Sequence, residues 1–230
     1  MIQIVELFHV LNRGVDKRTI VLDERDRVRF VHDLYALNDA RPVNNLTHNF
    51  RSKSIAGPRF SADSMREPLV TIHGWCLMKN HYHLLLTENV SGGITSFLRK
   101  FNIGYAKYFN ERHERSGALF QGRTKKIPIE RDAQFLYILH YIHLNPLDYC
   151  ASAYTWREGH VGNRAHALHY LAAYRWSSFL DYNGTHNFPS VIDVTLFNDV
   201  FSKSGGYGAE LLTFVRDIEE YPTLRQLRLE

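Results

Sequence analysis

The sequence is poor in the features that would place it quickly. It has two cysteines, Cys76 and Cys150, far apart in the chain. Such a pair builds neither a disulfide framework nor a CxxC metal clip, and a reducing cytoplasm is the expected compartment. No stretch reaches the run of about 18 apolar residues that a bilayer-crossing helix needs, and no basic segment followed by a long apolar run opens the chain. No membrane partner is therefore expected. There is no internal repeat and no low-complexity tract. What remains is a 230-residue chain, 44% hydrophobic and 23% charged, long enough to bury one good core. Its net charge of +4 and sequence pI of about 9.0 permit a nucleic-acid partner without requiring one.

Hydrophobic periodicity supplies the elements. "IVELFHVLNRG" (4–14) reads as a strand entering a turn, and "DERDRVRFVHDLYALN" (23–38) as a helix with an acidic start at Asp23 and Glu24. Residues 39–68 show no sustained period and hold several Pro, Gly and Asn, the composition of a long loop or insertion. "LVTIHGWCLM" (69–78) and "HYHLLLTE" (81–88), separated by little more than Lys79 and Asn80, form a hairpin pattern. A broad apolar face made by Ile94, Phe97, Leu98, Phe101, Tyr105, Tyr108 and Phe109 predicts a helix over 93–114. A short strand near 125–129 and a helix over 132–146, with Asp132 as N-cap, complete the order β-α-β-β-α-β-α. Beyond 154 the pattern weakens to an aromatic segment (174–182) and a C-terminal helix (207–221).

Residues i and i+2 of a strand face one side, so His81 and His83 point together. Two convergent imidazoles suit a divalent ion, although histidines at a strand edge without metal are the commoner meaning of a bare His-x-His. Tyr137, Tyr141 and Asn145, each four residues from the next, fall on one helical face and can bring a hydroxyl and an amide oxygen toward a common cleft. The alternative is that the tyrosines are core aromatics and Asn145 prepares the helix end before Pro146.

"GWCLMKNHYHLLL" (74–86) resembles the histidine-hydrophobic-histidine motif of single-tyrosine HUH transposases, and "YIHLNP" (141–146) is similar to their nucleophile helix. "YRWSS" (174–178), "FHVLNRG" (8–14) and "SGALFQGRTKK" (116–126) resemble, in the same order, segments of the REP-associated tyrosine transposases within that family. Together they sample residues 8 to 182, about three quarters of the chain. The segments 39–68 and "TWREGHVGNRAHALHYLAA" (155–173) have no counterpart in the resemblance, and other members carry Gln at the place of Asn145.

The resemblance implies an α+β fold, a ferredoxin-like antiparallel sheet backed by helices, with a core over 1–150 and a mostly helical extension over 151–230 packed on it. It implies metal-dependent cleavage and rejoining of single-stranded DNA beside a hairpin, with Tyr141 as nucleophile, a 5′-phosphotyrosine intermediate and no ATP. His81, His83 and Asn145 are the implied ligands of Mg²⁺ or Mn²⁺; the mixed imidazole and amide set suits Mn²⁺ more readily. Tyr137 is the rival nucleophile. His73, on the preceding strand, is either a partner of the ligands or a core histidine. For DNA binding, Arg123, Lys125 and Lys126 follow the long helix, and Asn12 and Arg13 lie at the N-terminal turn. The basic residues Arg99, Lys100, Lys107, Arg112 and Arg115 interleave with aromatics, as single-strand binders do, or simply form a solvated helix face. The extension favours a monomer over a homodimer. Two rival functions remain: a catalytically silent DNA or RNA hairpin-binding protein, and a metal-dependent nuclease using water.

Overall fold

A computed structural model describes residues 6–41 and 66–221. Most of the expected loop or insertion at 39–68 lies outside them. Four antiparallel strands, β1 (Leu7–Arg13), β2 (Val70–Leu77), β3 (His81–Glu88) and β4 (Lys125–Pro128), form one sheet in the order β2-β3-β1-β4. With α1 (Glu24–Ala36) between β1 and β2 and α2 (Gly93–Arg112) between β3 and β4, this is the ferredoxin-like α+β arrangement the resemblance implied. α3 (Asp132–Leu144) follows β4, and then α4 (Arg164–Ala173), α5 (Phe179–Tyr182), α6 (Thr195–Val200) and α7 (Tyr207–Arg216). No helix among the described residues is long and apolar enough to cross a membrane.

Strand alternation divides the core in two. Residues paired across an antiparallel ladder share a face. Val10 with Leu84, and Leu77 with Tyr82, send one set against Phe30 of α1 and Phe97, Phe101 and Tyr105 of α2. The other set, with Leu7, Cys76 and Leu85, packs under Ile138, Leu139 and Ile142 of α3 and under Trp156, Phe197, Tyr207 and Phe214 of the C-terminal region. The extension thus shares its apolar core with the sheet and α3.

Local chemistry explains the helix ends. Asp23 caps α1 through the Asp26 amide. Arg112, in the last turn of α2, pairs with both Asp23 and Asp26. Asp132 is the first residue of α3 rather than its cap; the preceding Glu130 and Arg131 amides donate instead to Gln134 Oε1 at 3.1 and 3.2 Å. At the other end Asn145 and Pro146 run on as a 3-10 turn to Tyr149. Asn12 and Arg13, expected at a turn, are the last residues of β1, because hydrogen bonding to β3 continues through the Arg13–His81 pair before the chain turns at Gly14.

Candidate active site

The β1–β3 register decides what meets at the middle of the sheet. Leu11 pairs with His83, Arg13 with His81 and His9 with Leu85, so His9, Arg13, His81 and His83 share the α3 face. His9 Nε2 and His83 Nδ1 are hydrogen-bonded at 2.9 Å, and their rings stack with centroids 5.1 Å apart. His81 meets His83 edge to face at 5.0 Å. Its Nδ1 lies 2.7 Å from Asn80 Oδ1, while Asn80 Nδ2 donates to the Lys17 carbonyl at 3.1 Å. With the amide so oriented, His81 Nδ1 donates, and in the neutral ring Nε2 is the lone-pair nitrogen. Burial pushes His83 well below the usual imidazole range, helped by the neighbouring His81, His9, Arg157 and Arg13. At neutral pH His83 is therefore uncharged.

α3 lays Tyr141 over this pair. Its ring is 5.9 Å from both His9 and His83, nearly perpendicular to each. Tyr137, one turn earlier, goes elsewhere: it is half-buried against His140, Phe214 and Tyr221. A straight helix rotates by about 40° over four residues, and that rotation sends the two tyrosines to different surroundings.

Asn145 is fully buried at the end of α3. Its Nδ2 donates to the Tyr141 carbonyl at 2.7 Å, which turns the amide oxygen toward Arg157. Arg157 joins the cluster from the stretch that the resemblance left without counterpart. It donates from Nη1 to Tyr141 Oη at 2.6 Å and from Nη2 to Asn145 Oδ1 at 2.7 Å. Asp148 receives Nε on Oδ1 at 3.2 Å and Nη2 on Oδ2 at 3.0 Å. The guanidinium lies 4.4 Å from the Trp156 ring centroid, and Trp156 Nε1 donates to Asp148 Oδ1 at 2.8 Å.

The expected metal ligands can be tested against this geometry. Two imidazoles, one neutral by burial, suit a divalent ion. Asn145 Oδ1, however, already accepts from a guanidinium, and a divalent cation there would face a fixed positive charge at contact distance. The set His81, His83 and Asn145 does not fit a divalent ion while Arg157 holds that oxygen. Among the described residues, no three His, Cys, Asp or Glu side chains are grouped to hold a metal.

The residues expected to bind DNA separate by exposure. Lys125 and Lys126 are exposed at the start of β4, an edge strand, and Arg123 is exposed just before it. Lys125 pairs with Leu11 and so lies on the histidine face, whereas Lys126 Nζ donates to Thr95 Oγ1 at 3.1 Å. Arg13 is half-buried beside His81. Asn12 is buried on the opposite face, where its Nδ2 donates to Thr124 Oγ1 at 3.0 Å and its Oδ1 accepts from the Arg13 amide. Several other cations have internal partners: Lys100 with the Asp39 and Arg41 carbonyls, Arg112 with Asp23, Arg115 with Asn110. His73 is buried, hydrogen-bonded to Thr87 Oγ1 at 3.0 Å and edge-on to Phe197.

Comparison with known proteins adds little. No family model matches the chain, and no curated protein does. Among solved structures it is similar to a REP-associated tyrosine transposase bound to a REP hairpin. The identity is 15%, over 83% of this chain and 87% of that one, with a TM-score of 0.47.

Proposed function

We propose that the protein is a single-tyrosine strand transferase acting on single-stranded DNA that carries a hairpin, with Tyr141 as nucleophile. The observation that carries this reading is the meeting of Tyr141 with the histidine pair of the sheet, its hydroxyl held by a cation. Such a constellation is more than core packing needs. The motif resemblance supplies the reaction. Tyr141 Oη attacks phosphorus, the Oη–P bond forms as the P–O3′ bond breaks, the phenol loses one proton and the leaving 3′ oxygen gains one. The phosphotyrosine keeps the energy of the phosphodiester, so a second 3′-hydroxyl reverses the step without ATP. The exposed Lys125 on the histidine face, with the exposed Arg123 just before β4, serves the DNA backbone. No step in this reading runs through a metal ion, although Mn²⁺ and Mg²⁺ belong in the assay.

One observation favours a second reading. The same guanidinium that holds Tyr141 also occupies Asn145, as in a site closed to chemistry, which suits a hairpin-binding protein that does not cut.

The experiment is a denaturing gel of protein mixed with labelled hairpin-bearing single strands, with Mn²⁺, with Mg²⁺ and with chelator. A covalent band from wild type that is lost in Tyr141→Phe is expected, with hairpin binding retained. Binding without any adduct would establish the silent binder, cleavage without adduct the water-using nuclease, and an adduct lost only in Tyr137→Phe would move the nucleophile one turn.

A further inference from the structure

We propose that Arg157 is a catalytic residue of the strand transfer, the group that holds the phosphate Tyr141 attacks; this rests on the reading of Tyr141 as nucleophile. The argument is geometric. In-line attack requires phosphorus about 3 to 3.5 Å from the attacking oxygen. Arg157 Nη1 is 2.6 Å from Tyr141 Oη. A phosphorus brought to attack distance from Oη carries its nonbridging oxygens one bond further out, so one of them falls beside that guanidinium edge. A guanidinium N–H of the Nη1 edge suits that phosphate oxygen, and the arginine charge meets the negative charge that grows on the phosphoryl group as the P–O3′ bond stretches. Arginine stays protonated throughout, so the proton balance of the transfer is unchanged.

The surroundings argue for a built position. Asp148 takes both Nε and Nη2, at 3.2 and 3.0 Å. Trp156, fully buried, stacks beside the guanidinium at 4.4 Å and fixes Asp148 through its indole N–H at 2.8 Å. Trp156, Asp148 and Arg157 thus form a chain from core to hydroxyl, in which Asp148 is a positioning residue. A cation fixed in this way costs little reorganisation when the phosphate arrives. It also supplies positive charge at the oxygen of Asn145, where the resemblance would place a metal.

The test separates binding from chemistry in full-length protein. Hairpin affinity is measured by fluorescence anisotropy, and single-turnover adduct formation at saturating DNA by gel. Arg157→Met is expected to slow adduct formation on the order of 100- to 1,000-fold, the usual effect of losing one group that stabilises transition-state charge, while hairpin affinity changes less than about threefold. Arg157→Lys, which keeps charge but loses the fork, recovers part of the rate, and Asp148→Asn slows it without altering affinity. Should Arg157→Met fold poorly, as judged by circular dichroism, the Lys and Asn variants decide alone. Wild-type rates in these variants, or a loss confined to affinity, would overturn the role of Arg157 and leave the strand-transferase reading standing. Absence of adduct from wild type would overturn both.

Discussion

Gly74 shows how closely α3 is fitted to the sheet. It occupies β2 at a register shift opposite Leu85, and a Cβ there would lie 2.8 Å from Leu139 Cδ1 and 3.5 Å from Leu85 Cβ. Leu139 is fully buried in α3, two residues before Tyr141, so it has little room to yield. Gly74→Ala should therefore cost about 1 to 3 kcal/mol, the usual range for overpacking a core. Adduct formation should fall with it, because α3 must lift to accept the methyl. Urea unfolding of the variant checks this, and an unchanged midpoint would show that Leu139 simply turns aside. At this scale the sequence was informative where spacing alone decides. His81 and His83 share a strand face by period two. His9 was missed because its place beside His83 depends on the β1–β3 register, which no local pattern states. Arg157 was missed because a lone arginine in an irregular segment resembles any surface cation until the fold brings it to Tyr141.

Elements with a strong period were legible: β1 to β4, α1, α2 and α3 all lie within a residue or two of their expected spans, outside the residues not described. Of the later helices, α7 (Tyr207–Arg216) falls within the C-terminal helix expected over 207–221, whereas α4 and α6 were not foreseen. α4 buries only Ala167 and Leu171, and α6 only Phe197, too few apolar positions to make a visible stripe. α3 is legible for the opposite reason and hides something else, a pair of histidines inside its apolar face. His140 and His143 are both buried around Tyr207 Oη, at 3.3 and 2.8 Å. Burial pushes His140 down from 6.5 to about 3, so it stays neutral in the fold and becomes charged only on unfolding. The unfolded chain then binds the extra proton below its pKa, and stability falls as pH drops through 6.5 toward 3. Between pH 7.5 and 5, His140 alone should remove about 2 kcal/mol. Denaturant titrations at the two pH values measure the loss, which shrinks in His140→Phe. A wild type equally stable at both would mean that the α3–α7 contact opens to solvent.

Across the whole molecule, one apolar core runs through residue 150. Ile138, Leu139 and Ile142 before it share one core with Trp156, Phe197, Tyr207 and Phe214 after it. The C-terminal helices therefore pin α3 onto the sheet of its own chain, and Tyr141 meets His9 and His83 in cis. This arrangement has a consequence for assembly. If the tyrosine helix were exchanged between copies, mixing His83→Ala protein with Tyr141→Phe protein would create some sites with an intact histidine pair and an intact tyrosine. With the helix held in cis, every site in the mixture keeps one defect. We expect no adduct from the mixture beyond the sum of the two variants alone, and one mass near 26.8 kDa by light scattering at all concentrations. Recovery of activity on mixing would require the shared core around Trp156 and Phe214 to release α3. That release would expose a wide apolar face at substantial cost, so recovery should then appear only after partial unfolding and refolding together.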